Sequence, residues 1–231
     1  MYHFETHPHI QPAPAPWTLN GAGYILIFRF PSLLLDRHRP AGPNHLGQPR
    51  LNIGCVMLVD YAASAVGPYR ELLFMPGLFK RGRHFHLSIT RIYVSTWNSI
   101  VNGHVNWGIP KEHADFQVCQ EDDGSERITV SRQGAAFVQL HLRPWGMHLP
   151  MNTAWVPAAL RTVLQAYQGK IYSTSLSGKG RLRPARLLSA EIDDVHFPDF
   201  SGCRLLAAVK VNDFVVNFPI PAIEPLPNDL M

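Results

Sequence analysis

The chain has 231 residues, a net charge of +4 and a pI near 9.1. Hydrophobic residues make up 46% and charged residues 16%, enough apolar material for one large core and an unusually small charged surface. The basic residues form no dense block and match no nucleic-acid-binding motif, which argues against nucleic acid as a partner.

In chain order, Met1–Trp17 combines His3, His7 and His9 with Pro8, Pro12, Pro14 and Pro16. It lacks a basic region followed by an apolar core, so it is not a secretory signal. It reads as a loose, extended arm over 1–19, and its His7-Pro8-His9 run is too stiff to wrap a metal. Tyr24–Phe30 is aliphatic and aromatic, as in a buried strand. The apolar run to Leu35 is broken by Arg29 and Pro31 and is too short to cross a membrane. Residues 36–50 read as a loop rich in Pro, Gly, His and Arg. Leu51–Tyr61, Tyr69–Met75 and His84–Val94 read as strands, the last two separated by the turn Pro76-Gly77.

A short helix is expected over Thr96–Asn102, capped by Ser95 and stopped by Gly103. His104 then follows a helix end, where a cation is favourable. Ala114–Gln120 and Ser125–Ser131 read as a hairpin around Asp122-Asp123-Gly124, and Ala135–Leu142 follows the turn Gln133-Gly134. A longer helix is expected over Pro157–Gln168. Pro157 suits its first position, Gly169 its stop, and Leu160, Val163, Leu164 and Tyr167 recur at helical spacing. Arg183–Val195, Leu205–Val211 and Phe214–Phe218 read as strands, and Pro219–Met231 as a proline-broken tail. Many strands with few helices predict a mainly β (α+β) barrel or sandwich spanning 20–221 as one domain, with 222–231 as tail.

Cys55, Cys119 and Cys203 are widely spaced and odd in number, with no CxxC pair. They read as buried free thiols of a cytoplasmic protein, with no disulfide framework and no zinc site. Lys80-Arg81-Gly82-Arg83-His84 and the group Lys179, Arg181, Arg183 and Arg186 read as solvated surface. The low charged fraction predicts a homo-oligomer whose subunit contacts cover part of the surface.

Lys111 stands out by its setting. Trp107, Gly108, Ile109 and Pro110 precede it, so its ammonium is expected to be poorly hydrated. Desolvation lowers a lysine pKa from about 10.4. A neutral amine attacks ketones, and the iminium formed withdraws electrons from the adjacent carbon. The competing reading is a lysine stem lying over a tryptophan. Trp107 itself serves either as core or as a ligand platform.

Gly103–Lys111, reading GHVNWGIPK, resembles the segment of acetoacetate decarboxylases that ends in an apolar residue, Pro and the Schiff-base lysine. Gly67-Pro68-Tyr69-Arg70-Glu71 is similar to the family's Tyr-x-Glu at a like distance upstream. The resemblance runs from about Asn20 to Pro221. It implies a cone-shaped antiparallel β-barrel with a flanking sheet and a few helices, the lysine inside the barrel. It implies no metal and no organic cofactor. Lys111 and Glu71 become the catalytic candidates. Arg29, Arg91, Trp107 and Tyr69 become candidates for binding a small carbonyl or oxo-acid ligand, with His86 alternating beside Arg91.

The chain departs from the family in several places. Gly103-His104-Val105 stands where Gly-Arg-Glu is usual, and Glu112 follows Lys111 where many members have a second lysine. In an extended segment Glu112 points away from Lys111. The family's early arginine falls opposite Gly21-Ala22, with Arg29 the nearest replacement, and a second glutamate falls opposite Gly54-Cys55. The functional expectation is a Schiff-base lyase acting on a small oxo acid or carbonyl compound by decarboxylation or aldol-type chemistry. The alternatives are a non-catalytic ligand-binding barrel of the same fold and a structural oligomer.

Overall fold

The computed structural model describes residues 9–38 and 46–226. His3 and His7 lie outside the described residues, as do 39–45 and 227–231. In chain order the first strands are β1 (Trp17–Arg29), β2 (Gln48–Leu51), β3 (Ile53–Ala63), β4 (Tyr69–Met75), β5 (Leu78–Arg81), β6 (His84–Leu87) and β7 (Arg91–Val94). There follow β8 (Glu112–His113), β9 (Asp115–Gln120), β10 (Glu126–Arg132), β11 (Ala135–Pro144) and β12 (Leu149–Asn152). The last are β13 (Thr162–Tyr167), β14 (Lys170–Ser175), β15 (Ser177–Ile192), β16 (Arg204–Phe218) and β17 (Ala222–Pro225). The α-helices α1 (Ser32–Arg37) and α2 (Trp97–Trp107) accompany them.

The strands form an 11-stranded sheet, ordered β8-β7-β4-β3-β1-β16-β15-β11-β10-β9 with β12 beside β15, and a 6-stranded sheet, β17-β14-β13-β6-β5-β2. β8 and β9 stand at opposite ends of the larger sheet yet are joined in the chain by Ala114 alone. The sheet therefore curls until its ends meet, a nearly closed barrel flanked by the second sheet. Pairing is antiparallel apart from β7–β8 and β6–β13.

Alternation assigns the two faces of the curled sheet. Tyr24, Leu26 and Phe28 of β1 and Leu72 and Phe74 of β4 pack with Ile128, Val130, Leu140 and Phe197 into one buried core. That core draws on strands from both ends of the order, so it fills the barrel. The other face carries Ile25, Ile27, Met57, Glu71, Leu73 and Met75, which line a separate cavity together with residues of β13 and β14. The lysine expected inside the barrel belongs to this second face.

Several sequence expectations change. Pro157–Gln168 is no helix: a 3₁₀ turn at Ala158–Leu160 leads into β13. Gln168 and Gly169 take φ values of 49° and 70°, the pattern of a two-residue type I′ hairpin turn. The glycine that suited a helix stop instead suits this turn, and Thr162, Val163 and Tyr167 suit a strand. α2 runs past Gly103 to Trp107. Its N-cap is Thr96, whose side chain accepts from the Ser99 amide, and its stop is Gly108 at φ 63°. His84–Val94 divides into β6 and β7, which join different sheets. Leu205–Val211 and Phe214–Phe218 are one strand, β16, with Asp213 at φ 48° where its pairing shifts. Part of the expected tail is β17, paired with β14. The described arm is docked rather than loose: Ala13 N–H donates to Asn102 Oδ1 at 2.7 Å, and Asn106 donates to the Ala13 carbonyl at 2.8 Å. The cysteines expected to be buried are half-buried at Cys55 and Cys203 and exposed at Cys119. Among the described residues no helix is long and apolar enough to cross a membrane.

Candidate active site

Lys111 owes its position to how α2 stops. Gly108 takes a left-handed conformation, its N–H bonding the His104 carbonyl at 3.0 Å, and the Ile109 N–H reaches back to the Gly103 carbonyl at 3.3 Å. This reciprocal closure ends the helix, and Pro110 keeps it from resuming. Trp-Gly-Ile-Pro-Lys is thus a helix stop that turns Lys111 back over its own helix. A Cβ on Gly103 would meet Lys111 Cδ at 2.8 Å and Cε at 2.9 Å. Gly103 is the groove in which the lysine stem lies, which is why a glycine stands inside the helix despite its poor propensity.

At the end of that stem Nζ donates to Glu71 Oε2 at 3.0 Å and to Ser99 Oγ at 2.9 Å. It stands 5.0 Å from the centre of the Tyr69 ring. Tyr61 donates to the other Glu71 oxygen at 3.4 Å, and the Tyr61 and Tyr69 rings are 4.7 Å apart. Lys111 and Glu71 are each 4% exposed. Both line a cavity of about 540 Å³ whose walls are largely apolar, from Trp17, Leu19, Leu73, Ile92, Trp107 and Val163 among others.

The electrostatics correct the expected neutral amine. Burial pushes the Lys111 ammonium down, but the charge of Glu71, then Tyr69 and the hydrogen bonds to both, outweigh it and hold the pKa above its ordinary value. The resting lysine is an ammonium. Burial, reinforced by Glu71, raises the Tyr61 hydroxyl well above its usual range, and burial takes Tyr69 to about 12. Cys55, also on the cavity wall, is pushed up to about 12 by burial, so it is an inert thiol.

The structure brings together Lys111, Glu71, Tyr69 and Trp107. Trp107 lines the cavity, meets Trp17 edge-on at 4.9 Å and donates its indole N–H to the Pro219 carbonyl at 2.9 Å. Arg29 and Arg91 are not part of the site. Both are exposed and neither lines the cavity; Arg91 faces Glu112 at 4.0 Å, on the far side of its strand. Alternation accounts for Arg91, since Ile92 faces the cavity and Tyr93 the barrel core; Arg29 shares its parity with Ile27 but is the last residue of β1, after the register shift between Ile27 and Phe28. His86 is buried away from the cavity, against the Leu46 carbonyl at 2.7 Å. Glu112 points outward to Arg132 at 3.2 Å. No carboxylate or arginine stands at Gly21, Ala22, Gly54 or Cys55. His104 is a buried neutral histidine in the last helical turn, held low by burial, its ring nitrogen bonding the Lys111 carbonyl at 3.0 Å. Reading the residues in order misses Ser99 and Tyr61. The signal for Ser99 is its spacing of four from Gly103, which sets both on one helical face.

No protein-family profile matches this chain, and no curated protein matches it by sequence. Solved structures do match in shape. An acetoacetate decarboxylase-like enzyme from Sphingomonas wittichii RW1 superposes with a TM-score of 0.68 at 12% identity, over 92% of this chain and 94% of that one. Acetoacetate decarboxylase from Legionella pneumophila gives 0.67 at 12%, over 97% and 96%. The enduracididine biosynthesis enzyme MppR, complexed with the condensation product of pyruvate and imidazole 4-carboxaldehyde, gives 0.65 at 12%, over 92% and 90%. The chain has the acetoacetate-decarboxylase-like fold.

Proposed function

We propose that this chain, built on the acetoacetate-decarboxylase-like fold, is a carbon–carbon lyase that holds a small oxo acid or carbonyl compound as an imine on Lys111. The observation that carries this reading is the buried Nζ, 3.0 Å from Glu71, at the wall of a large apolar cavity. Bound substrate displaces the remaining water and weakens the case for two separated charges. The Nζ proton passes to Glu71, and the neutral nitrogen attacks the carbonyl carbon. Glu71 carries two protons in turn from the nitrogen to the oxygen, the first converting the alkoxide of the adduct to a hydroxyl and the second releasing that hydroxyl as water, and an iminium remains. Tyr61, donating to Glu71, steadies the carboxylate between these two duties.

From the iminium, loss of carbon dioxide breaks the adjacent C–C bond and sends its electron pair toward nitrogen as an enamine. Loss of a proton from the neighbouring carbon gives the same enamine, which attacks an aldehyde in aldol-type condensation. Protonation or condensation restores an iminium, and water hydrolyses it to free Lys111. The pyruvate condensation product bound to MppR supports the condensation branch. The groups that surround the lysine in decarboxylases, an arginine near the start and an Arg-Glu pair before the lysine, have no counterpart here. Acetoacetate is therefore a poor substrate, with carbon dioxide release far below a typical turnover of about 10 per second.

A binding barrel that has lost catalysis is the second reading, favoured by the fully paired ammonium of Lys111. Borohydride reduction with pyruvate, followed by peptide mass spectrometry, separates the two. The lyase reading expects a reduced adduct on Lys111; saturable ligand binding with no adduct under any oxo acid supports the binding barrel. A cytoplasmic homo-oligomer accompanies either reading, supported by three free cysteines and by exposed Trp155 and Met147.

A further inference from the structure

We infer that the cavity selects an oxo acid whose carboxylate is separated from the reacting carbonyl by an apolar chain, with Arg161 as the carboxylate-binding residue. This rests on the imine reading for the carbonyl end alone. The charged side chains lining the cavity are Glu71, Lys111, Arg161 and Lys179. Glu71 and Lys111 neutralise each other. Among the described residues Arg161 and Lys179 make no ion pair, so the cavity keeps a positive surplus with no anion to balance it.

Arg161 is built into the wall. Alternation along the segment sets Arg161, Val163 and Gln165 facing the cavity, and all three line it. One Arg161 Nη donates to the Leu176 carbonyl at 3.3 Å. Its Nε is buried with no hydrogen-bond partner. A guanidinium offers donors in a planar fork matched to a carboxylate, and the Nη hydrogens not committed to Leu176 are the ones an anion in the cavity meets. Lys179, exposed three residues beyond Leu176, adds a second cation near the same end.

Position gives the spacing. Lys111 follows Gly108, and a Cβ on Gly108 would meet Tyr172 at 2.8 Å and Tyr167 at 2.9 Å. Those two tyrosines flank the turn of the β13–β14 hairpin, whereas Arg161 stands at the hairpin's open end. Six residues of strand separate Arg161 from Tyr167, roughly 20 Å at ~3.3 Å per residue. Both long side chains shorten that gap, with the Lys111 end fixed by Glu71 and Ser99 and the Arg161 end by the Leu176 carbonyl. The wall between is apolar, with Val163, Leu87, Ile89 and Leu176, which suits a methylene chain. The volume agrees: at about 30 Å³ per non-hydrogen atom, water's share of its liquid, 540 Å³ holds far more than a four-carbon acid.

The test measures half-saturation of borohydride-trapped Lys111 adducts with 7-oxooctanoate, 2-octanone and pyruvate, beside calorimetry with octanoate. The inference expects 7-oxooctanoate to saturate about tenfold or more below both other carbonyls, as one charge-assisted contact allows. Arg161→Met should close most of that gap and weaken octanoate binding by a similar factor. Arg161→Lys should recover part of both, which separates lost charge from lost folding. If adducts form but Arg161→Met leaves the 7-oxooctanoate preference intact, or if pyruvate saturates lowest in the unaltered protein, this inference is overturned while the imine survives. If octanoate binds through Arg161 but no carbonyl labels Lys111, the imine reading fails and the carboxylate site stands.

Discussion

Two lysines, Lys111 fully and Lys210 largely buried, pack against opposite faces of the same sheet with nearly the same neighbours. Lys111 pairs with Glu71 and lies 5.0 Å from the Tyr69 ring; Lys210 pairs with Glu126 and lies 5.1 Å from the Tyr24 ring. The side chains of the first pair are each 5% exposed, those of the second 13% and 9%. Yet Lys111 and Glu71 open on the cavity, whereas Lys210 and Glu126 do not line it. Lys210 is held in register between Tyr24 on β1 and Arg183 on β15, at the end of the packed barrel core. The difference teaches that a buried Lys–Glu–Tyr cluster is a structural device by default. Room beside the nitrogen for a carbonyl is what makes it a candidate for chemistry.

The comparison can be broken at its two carboxylates first. Glu71→Gln removes the proton acceptor and should slow imine-dependent turnover by about 10²–10⁴, the usual range for a general acid–base group. Glu126→Gln should leave turnover near its starting value while lowering stability, because it leaves the Lys210 ammonium with a weaker partner in a poorly hydrated place. Steady-state kinetics beside denaturant unfolding check both. Equal turnover in Glu71→Gln at every pH would remove Glu71 from the mechanism.

Gly103→Ala sharpens the comparison because nothing like the Gly103 groove underlies Lys210. The added methyl meets the lysine stem below 3.0 Å, so Nζ must shift. A misplacement of about 1 Å costs on the order of 10²-fold in rate. Helix propensity favours Ala over Gly by about 1 kcal/mol, so activity should fall with little loss of stability. A drop in melting temperature matching the drop in activity would mean that Gly103 serves packing alone.

The smallest effect is in pH. Lys111, Tyr61, Tyr69 and Cys55 all have pKa values raised by the fold, so each holds its proton longer in the folded chain than in the unfolded one. Their stabilising contributions are complete below the unfolded values and are lost as pH rises through the folded ones. Denaturant stability should therefore decline from about pH 9, the ordinary value for Cys55, toward 12 and beyond. Trapping on Lys111 should rise over the same alkaline range as its ammonium gives up its proton. Trapping that is flat from neutral pH upward would mean the amine is already neutral at rest.

The sheet was legible in sequence from alternation, and the Lys111–Glu71 pair from its resemblance to the decarboxylase segments. Tyr69-x-Glu71 and Pro110-Lys111 are short contiguous motifs, so the resemblance can be read without knowing the fold. Pro157–Gln168 was not legible, because Leu160, Val163, Leu164 and Tyr167 satisfy both a helical stripe and a strand with a buried face. The Gln168-Gly169 turn settles it only once its two positive φ angles are known. Arg91 was misplaced because a sheet whose two faces are both buried hides which face holds the cavity, and Arg29 because the strand ends at it after a register shift that the sequence does not announce. Ser99 and Arg161 were invisible because their value depends on partners 12 residues away in one case and on a cavity wall in the other. Gly103 looked like a helix stop because the reason for a glycine there, the returning lysine stem, lies eight residues ahead in the chain.

The measurement that bears most directly on the central claim is site-resolved trapping. The protein is incubated with pyruvate and with 7-oxooctanoate, reduced with borohydride, digested and mapped across its five lysines. The account predicts reduced adducts on Lys111, none on Lys210 or Lys170, and none at all in Lys111→Ala that retains the unaltered circular dichroism spectrum. Labelling of Lys210, or labelling that persists undiminished in Lys111→Ala, would contradict it.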